Sequence, residues 1–188
     1  MTKRKFASLI LMLYCAVTAL GLPAAKGAKE VYTGSVVDTS GFRRTGTAFI
    51  TITIDQYTTD DEMRQLEEAY SSDKQSGLLK AMRKMKKGTV QITGSLGYRI
   101  HAARQITTKD GSALLVAFER PISWLEARSA SSSLDYPFAV IEIEFDEKGK
   151  GEGTLHAAAK IKISEANEVK VEGYEFNPAR LINVRKRK

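Results

Sequence analysis

Much of the chain alternates apolar and polar residues with a period of two. Over residues 48–55, Ile50, Ile52 and Ile54 share one face while Thr51, Thr53 and Asp55 take the other. Successive side chains of a strand point to opposite faces, so this is the pattern of a half-buried strand. Tyr98, Ile100 and Ala102 alternate with Arg99 and His101, and Ala139, Ile141, Ile143 and Phe145 alternate with Val140, Glu142 and Glu144. Leu155, Ala157, Ala159, Ile161 and Ile163 alternate with His156, Ala158, Lys160 and Lys162; Val169 and Val171 alternate with Lys170 and Glu172. Residues 112–118 are apolar on both faces, as in a central or doubly covered strand. Turn chemistry separates the runs: Lys109-Asp110-Gly111 is a strong hairpin signal, and Gly94-Ser95-Leu96-Gly97 and Glu147-Lys148-Gly149-Lys150-Gly151 are further connections. About 8–10 short strands at this spacing predict a mainly β (α+β) fold, an antiparallel β-barrel or sandwich.

One segment breaks the rhythm. Thr59-Asp60-Asp61-Glu62 is a capping box, and Ser72-Asp73-Lys74-Gln75 has the same form. Met63, Leu66 and Tyr70 recur at helical spacing after the first, and Leu78, Met82 and Met85 after the second, with Gly88 as the stop. The spacing predicts a two-helix hairpin over about 59–88, with helices at about 60–71 and 73–87. The first is acidic at its start and the second basic at its end, as the helix dipole favours.

The ends of the chain add the compartment. Lys3, Arg4 and Lys5 precede an apolar run over residues 6–22, and small residues follow through Ala28. That order predicts a secretory signal peptide over 1–28, an exported protein acting in the periplasm or outside the cell, and no transmembrane segment once the signal is cleaved. The domain organisation expected is a single β-rich domain over 29–184 and a basic C-terminal tail over 185–188. The single cysteine, Cys15, leaves with the signal, so the mature domain is cysteine-free and offers neither a disulfide nor a thiol nucleophile. The net charge of +7 is carried by the two ends, and residues 29–184 sum to −1. A neutral body argues against nucleic acid as a partner.

The candidate chemistry is sparse. His101 and His156 are the only histidines and fall at outward strand positions. No His, Cys, Asp or Glu grouping has metal-ligand spacing, so no metal and no cofactor is expected. Gly94-Ser95-Leu96-Gly97 lacks the Gly-x-Ser-x-Gly form of a nucleophile elbow, and Gly149-Lys150-Gly151-Glu152-Gly153 joins strands where a phosphate loop needs a helix. Glu142 and Glu144 are expected to pair with Lys160 and Lys162 on the next strand. Two candidate surfaces remain. Trp124, Arg128, Tyr136 and Phe138 flank a Ser-rich segment at 129–133 and form a candidate ligand rim. Lys80, Arg83, Lys84, Lys86 and Lys87 form a basic helix face suited to an anionic surface.

The phrases Phe118-Glu119-Arg120-Pro121-Ile122, Asp135-Tyr136-Pro137-Phe138 and Gly149-Lys150-Gly151-Glu152-Gly153-Thr154-Leu155 together resemble a group of small exported proteins of environmental bacteria with no assigned activity, over residues 44–184. The resemblance implies export and a single β-rich domain, and it assigns no catalytic residue. The function expected is therefore a non-catalytic binding module, holding a small apolar molecule within the sheet. The alternative is an envelope-associated interaction protein using the helix 73–87 and the basic tail, with a hydrolase third.

Overall fold

The structure, a computed structural model, describes residues 29–38, 46–94, 96–108, 111–119, 136–163, 169–174 and 178–187. Among these described residues nine strands and one helix follow in the order β1 (Glu30–Asp38), β2 (Gly46–Ile54), α1 (Asp60–Met82), β3 (Gly88–Ile92), β4 (Tyr98–Thr108), β5 (Gly111–Glu119), β6 (Phe138–Phe145), β7 (Gly151–Ile163), β8 (Val169–Gly173) and β9 (Ala179–Lys186). Every pairing is antiparallel, and eight strands close into a ring β1-β2-β3-β4-β5-β6-β7-β9. Closure leaves the ring without an exposed edge. It also decides between the two architectures open to the sequence: the fold is a barrel.

The period-two pattern explains the interior. Ile50, Ile52 and Ile54 of β2, Ile141 and Ile143 of β6, Leu114, Val116 and Phe118 of β5, and Leu181 and Val184 of β9 are all 2 % exposed or less and meet in one cluster. An eight-stranded barrel is just wide enough for its inward side chains to fill it. One end is closed by Tyr32, tilted against Phe145 with ring centroids 5.5 Å apart. At that end the Tyr32 and Tyr57 hydroxyls both donate to Glu30 Oε2, at 2.7 and 2.6 Å. Lys186 Nζ sits 2.6 Å from Glu30 Oε1. Burial pushes the Glu30 carboxyl up, but the hydrogen bonds from Lys186, Tyr57 and Tyr32 outweigh it and hold it below the usual carboxylate value. Burial also raises the Tyr32 hydroxyl, to about 12.

β7 departs from strict alternation. A bulge between its pairings with Phe138 and Val140 shifts the register by one residue, and a one-residue shift turns the side chains beyond it to the opposite face. Leu155 therefore stays in the barrel, whereas Ala159, Ile161 and Ile163 point outward and pack with Met63, Leu66, Leu78 and Met82 of α1. The other edge of β7 is divided, pairing with β9 over Gly151, Gly153, Thr154 and Leu155 and with β8 over residues 159–163.

The helical segment is one helix rather than the expected hairpin of two. α1 begins at the expected capping box, with Glu62 N–H donating to Thr59 Oγ1 and Thr59 N–H donating to Glu62 Oε2. A kink at Asp73 and Lys74 interrupts it, and the chain continues as helix to Met82. The second capping box does not form because Gln75 is used elsewhere. Its side-chain amide donates to Ile161 O at 2.7 Å and its Oε1 accepts from Ile161 N–H at 3.1 Å. β6 begins at Phe138, opposite Ala159, so Ile161 lies beyond its pairing and Gln75 takes the place of a strand neighbour there. Gly88 opens β3 at φ 149°, and a Cβ there would lie 1.9 Å from Thr53 O.

A buried cation joins the helix to the barrel. Lys87 is 1 % exposed, and its Nζ lies 2.6 Å from both carboxylate oxygens of Glu62 and 3.4 Å from Tyr57 O. Removing one partner of a buried ion pair leaves the other uncompensated. Lys87→Ala is expected to cost about 3 kcal/mol of stability in urea denaturation; a loss below about 1 kcal/mol would contradict the pair's anchoring role.

Candidate functional site

The five basic residues expected on one helix face take four different situations. Arg83 pairs with Glu119 of β5, Lys80 Nζ lies 3.4 Å from Asp73 Oδ2, and Lys87 is turned inward on Glu62. Lys87 is thus corrected from a surface contact to a buried anchor, because the capping-box carboxylate of Glu62 sits directly opposite it. Lys84 and Lys86 remain exposed and make no ion pair with a described residue. They line a groove of about 660 Å³ beside the helix, together with Gln56, Glu62, Gln65 and Glu68. The lining mixes both signs of charge, so the groove alone selects for neither.

The expected ligand rim does not assemble as a unit. Phe138 is 0 % exposed and packs in the cluster beneath α1, where it is core. Its position opposite Ala159, before the β7 bulge, aims it at the helix. Tyr136 lies apart on the surface, edge-on to Tyr174 with centroids 5.1 Å apart and with Lys160 Nζ 4.4 Å from its ring centre. Trp124 and Arg128 lie outside the described residues, as do the signal segment and the Ser-rich segment. Between α1 and the strands an apolar cavity of about 40 Å³ is lined by Met63, Leu66, Met82, Leu115 and Ile161. That is close to the ~30 Å³ share of a single water in the liquid.

Both histidines face out of the barrel, as the alternation suggests, but both are covered: His156 pairs with Val140 of the cluster beneath the helix, and His101 reaches Met85 of the same cluster. A bulge between Ile100 and Ala102 leaves His101 6 % exposed, with Nδ1 3.2 Å from Met85 O. His156 is half-buried; its Nδ1 has no hydrogen-bond partner, and burial holds the ring below its usual pKa. No group of three or more His, Cys, Asp or Glu among the described residues is arranged to hold a metal ion. Among the same residues, no helix is long and apolar enough to cross a membrane.

The carboxylates of β6 also find other neighbours than expected. Glu142 faces Thr154 and Glu144 faces Glu152 across β6–β7, while Lys162 pairs with Glu172 at 2.7 Å on the β8 side. Lys160 and Lys162 lie too far along β7 to meet Glu142. Among the described residues Glu142 has no cationic partner, and burial, with Glu144 second, pushes its carboxyl above the usual 4.5.

Four arginines on the far side of the barrel also make no ion pair with a described residue: Arg99 on β4, Arg180 and Arg185 on β9, and Arg187 just beyond it. Arg185 and Lys186, expected in a tail, belong to β9. Arg187 continues the pairing through its N–H, which donates to Val31 O at 2.7 Å. The signal missed in the sequence was the alternation Arg180, Ile182 against Leu181, masked by a bulge at Asn183, whose φ is 55°.

The raised Glu142 carboxyl has a consequence for stability. The folded state binds its proton more tightly than the unfolded chain does, so the stability it contributes is present below 4.5 and lost as pH rises through the raised value. Glu142→Gln is expected to raise the melting temperature at about pH 7, with the gain shrinking at about pH 4; a variant that melts lower at neutral pH would contradict this. Comparison with protein-family models, with curated proteins and with solved structures gives no match.

Proposed function

We propose that this protein is an exported, non-catalytic binding module that engages an anionic component of the cell envelope on its outer surface. The observation that carries the reading is where free space and free charge lie. Among the described residues the barrel interior is occupied by its own side chains, and the apolar cavity under the helix, at about 40 Å³, is too small for an apolar ligand. Lys84, Lys86, Arg99, Arg180, Arg185 and Arg187, by contrast, all stand on the outside without an acidic partner among the described residues. Unpaired surface cations attract anionic partners over about a Debye length, ~10 Å at 0.1 M salt.

The cations expected on one helix are dispersed: α1 ends at Met82, and Lys80, Arg83 and Lys87 pair with Asp73, Glu119 and Glu62. The class of partner, an anionic envelope surface, is kept. The expected outcome is retention of the mature protein on phosphatidylglycerol vesicles or on immobilised polygalacturonate at about 50 mM NaCl, falling steeply at about 300 mM. Native mass spectrometry of the same preparation is expected to show the bare chain mass. Retention on neither probe, or a stoichiometric apolar passenger, would overturn the reading.

A further inference from the structure

The outer face of β9, β1, β2 and β3 differs from the rest of the barrel. The helix packs over the strands β4 to β7 and leaves this face bare. Because Ile50, Ile52 and Ile54 point inward, Phe49, Thr51 and Thr53 point outward. The register then sets out rows across the strands. Arg185, Thr33, Thr51 and Gln91 lie side by side, and Val31, Thr53, Thr89 and Arg99 form the next row, with Arg187 bonded to Val31 at its end. On the other side of the first row, Ser35 and Phe49 are paired, with Thr93 N–H donating to Phe49 O. The first row crosses three inter-strand steps, roughly 14 Å.

The composition of this face is specific. Its centre is hydroxyl and amide, groups that both donate and accept. Its margins carry arginines, whose planar fork suits a carboxylate bidentately. The outward strand positions within these rows contain no acid. Phe49, at 72 % exposed, stands between Thr47 and Thr51 on its own strand, an aromatic ring presented to solvent by a rigid sheet. An aromatic face is electron-rich and attracts the positive edges of C–H groups.

Resting on the proposed envelope-binding reading, we propose that this face binds an acidic polysaccharide. Phe49 stacks against a sugar ring, Thr33, Thr51 and Gln91 hydrogen-bond its hydroxyls, and Arg185 and Arg187 pair with its carboxylates. A lipid surface fits less well. Burial in a headgroup layer needs a broad apolar face, and here a single exposed aromatic is surrounded by hydroxyls.

The test uses the mature chain, immobilised polygalacturonate, neutral dextran, and phosphatidylglycerol vesicles at about 50 mM NaCl. Wild type is expected to bind polygalacturonate, with little binding to dextran. Arg185→Glu with Arg187→Glu should weaken binding at least tenfold and Phe49→Ala several-fold. Both should keep the wild-type melting temperature, since these side chains are exposed. Lys84→Glu with Lys86→Glu, away from this face, should bind as wild type does. Binding lost in the Lys84/Lys86 variant but kept in the Arg185/Arg187 variant would overturn this face while leaving the anionic-partner reading standing. Binding to vesicles but not to polygalacturonate would overturn the polysaccharide assignment alone. Binding to neither would overturn both.

Discussion

The ammonium of Lys87 bonds both oxygens of Glu62, and four elements share that point. The backbone N–H of Lys87 donates to Ile100 O, and its carbonyl accepts from Asp55 and Gln56. The end of β2, the first turn of α1, the start of β3 and the early part of β4 are thus fixed by one residue. Glu62 is held in turn by the capping box with Thr59. Burial raises its carboxyl, but Lys87 and the Thr59 bonds outweigh that and keep it ionised below the usual value. A buried charge is tolerated only when it is paired and hydrogen-bonded, so the pair also sets where the helix sits.

That placement divides the outside of the barrel. With its start anchored beside β3 and β4, α1 crosses over β4 to β7 and buries Phe138, Val140, Ala159 and Ile161 beneath Met63, Leu66, Leu78 and Met82. Gln75 secures the far part of the helix to β7. The opposite face receives no cover from the helix. Acidic side chains collect on β6 and β7, where Glu144 faces Glu152, while arginines border the bare Thr-rich face. The near-neutral sum over residues 29–184 does not register this separation, because it leaves out Arg185 and Arg187.

The approximate strand number, the positions of β2 and of β4 to β8, and the helix start were legible because each rests on local pattern: period two for β2 and β6, and a capping box for Thr59 and Glu62; β1, β3 and β9 were not. Closure was not legible, since it depends on the β6–β7 and β7–β9 pairings, which join distant parts of the chain. The bulges in β4 and β7 were invisible for a related reason. Each inserts one residue without changing composition, yet each reverses the facing of the residues beyond it, so Ala102, Ala159 and Ile161 face the helix where strict alternation points them into the barrel. Lys87 reads as one more lysine in a basic run until Glu62 is placed opposite it. Of the candidate site, the basic residues at the C-terminus were visible, but their incorporation into β9 beside Thr33 was not.

A partner met on the β9–β1–β2–β3 face, outside a filled barrel, leaves a signature that backbone amide chemical-shift mapping reads during titration with oligogalacturonate. The shifts are expected to concentrate at Thr33, Phe49, Thr51, Gln91 and Arg185, with the α1 amides and the inward strand positions unmoved. Shifts centred on the groove at Lys84 and Lys86, or on the inward residues Ile52, Val116 and Ile141, would contradict binding at this face.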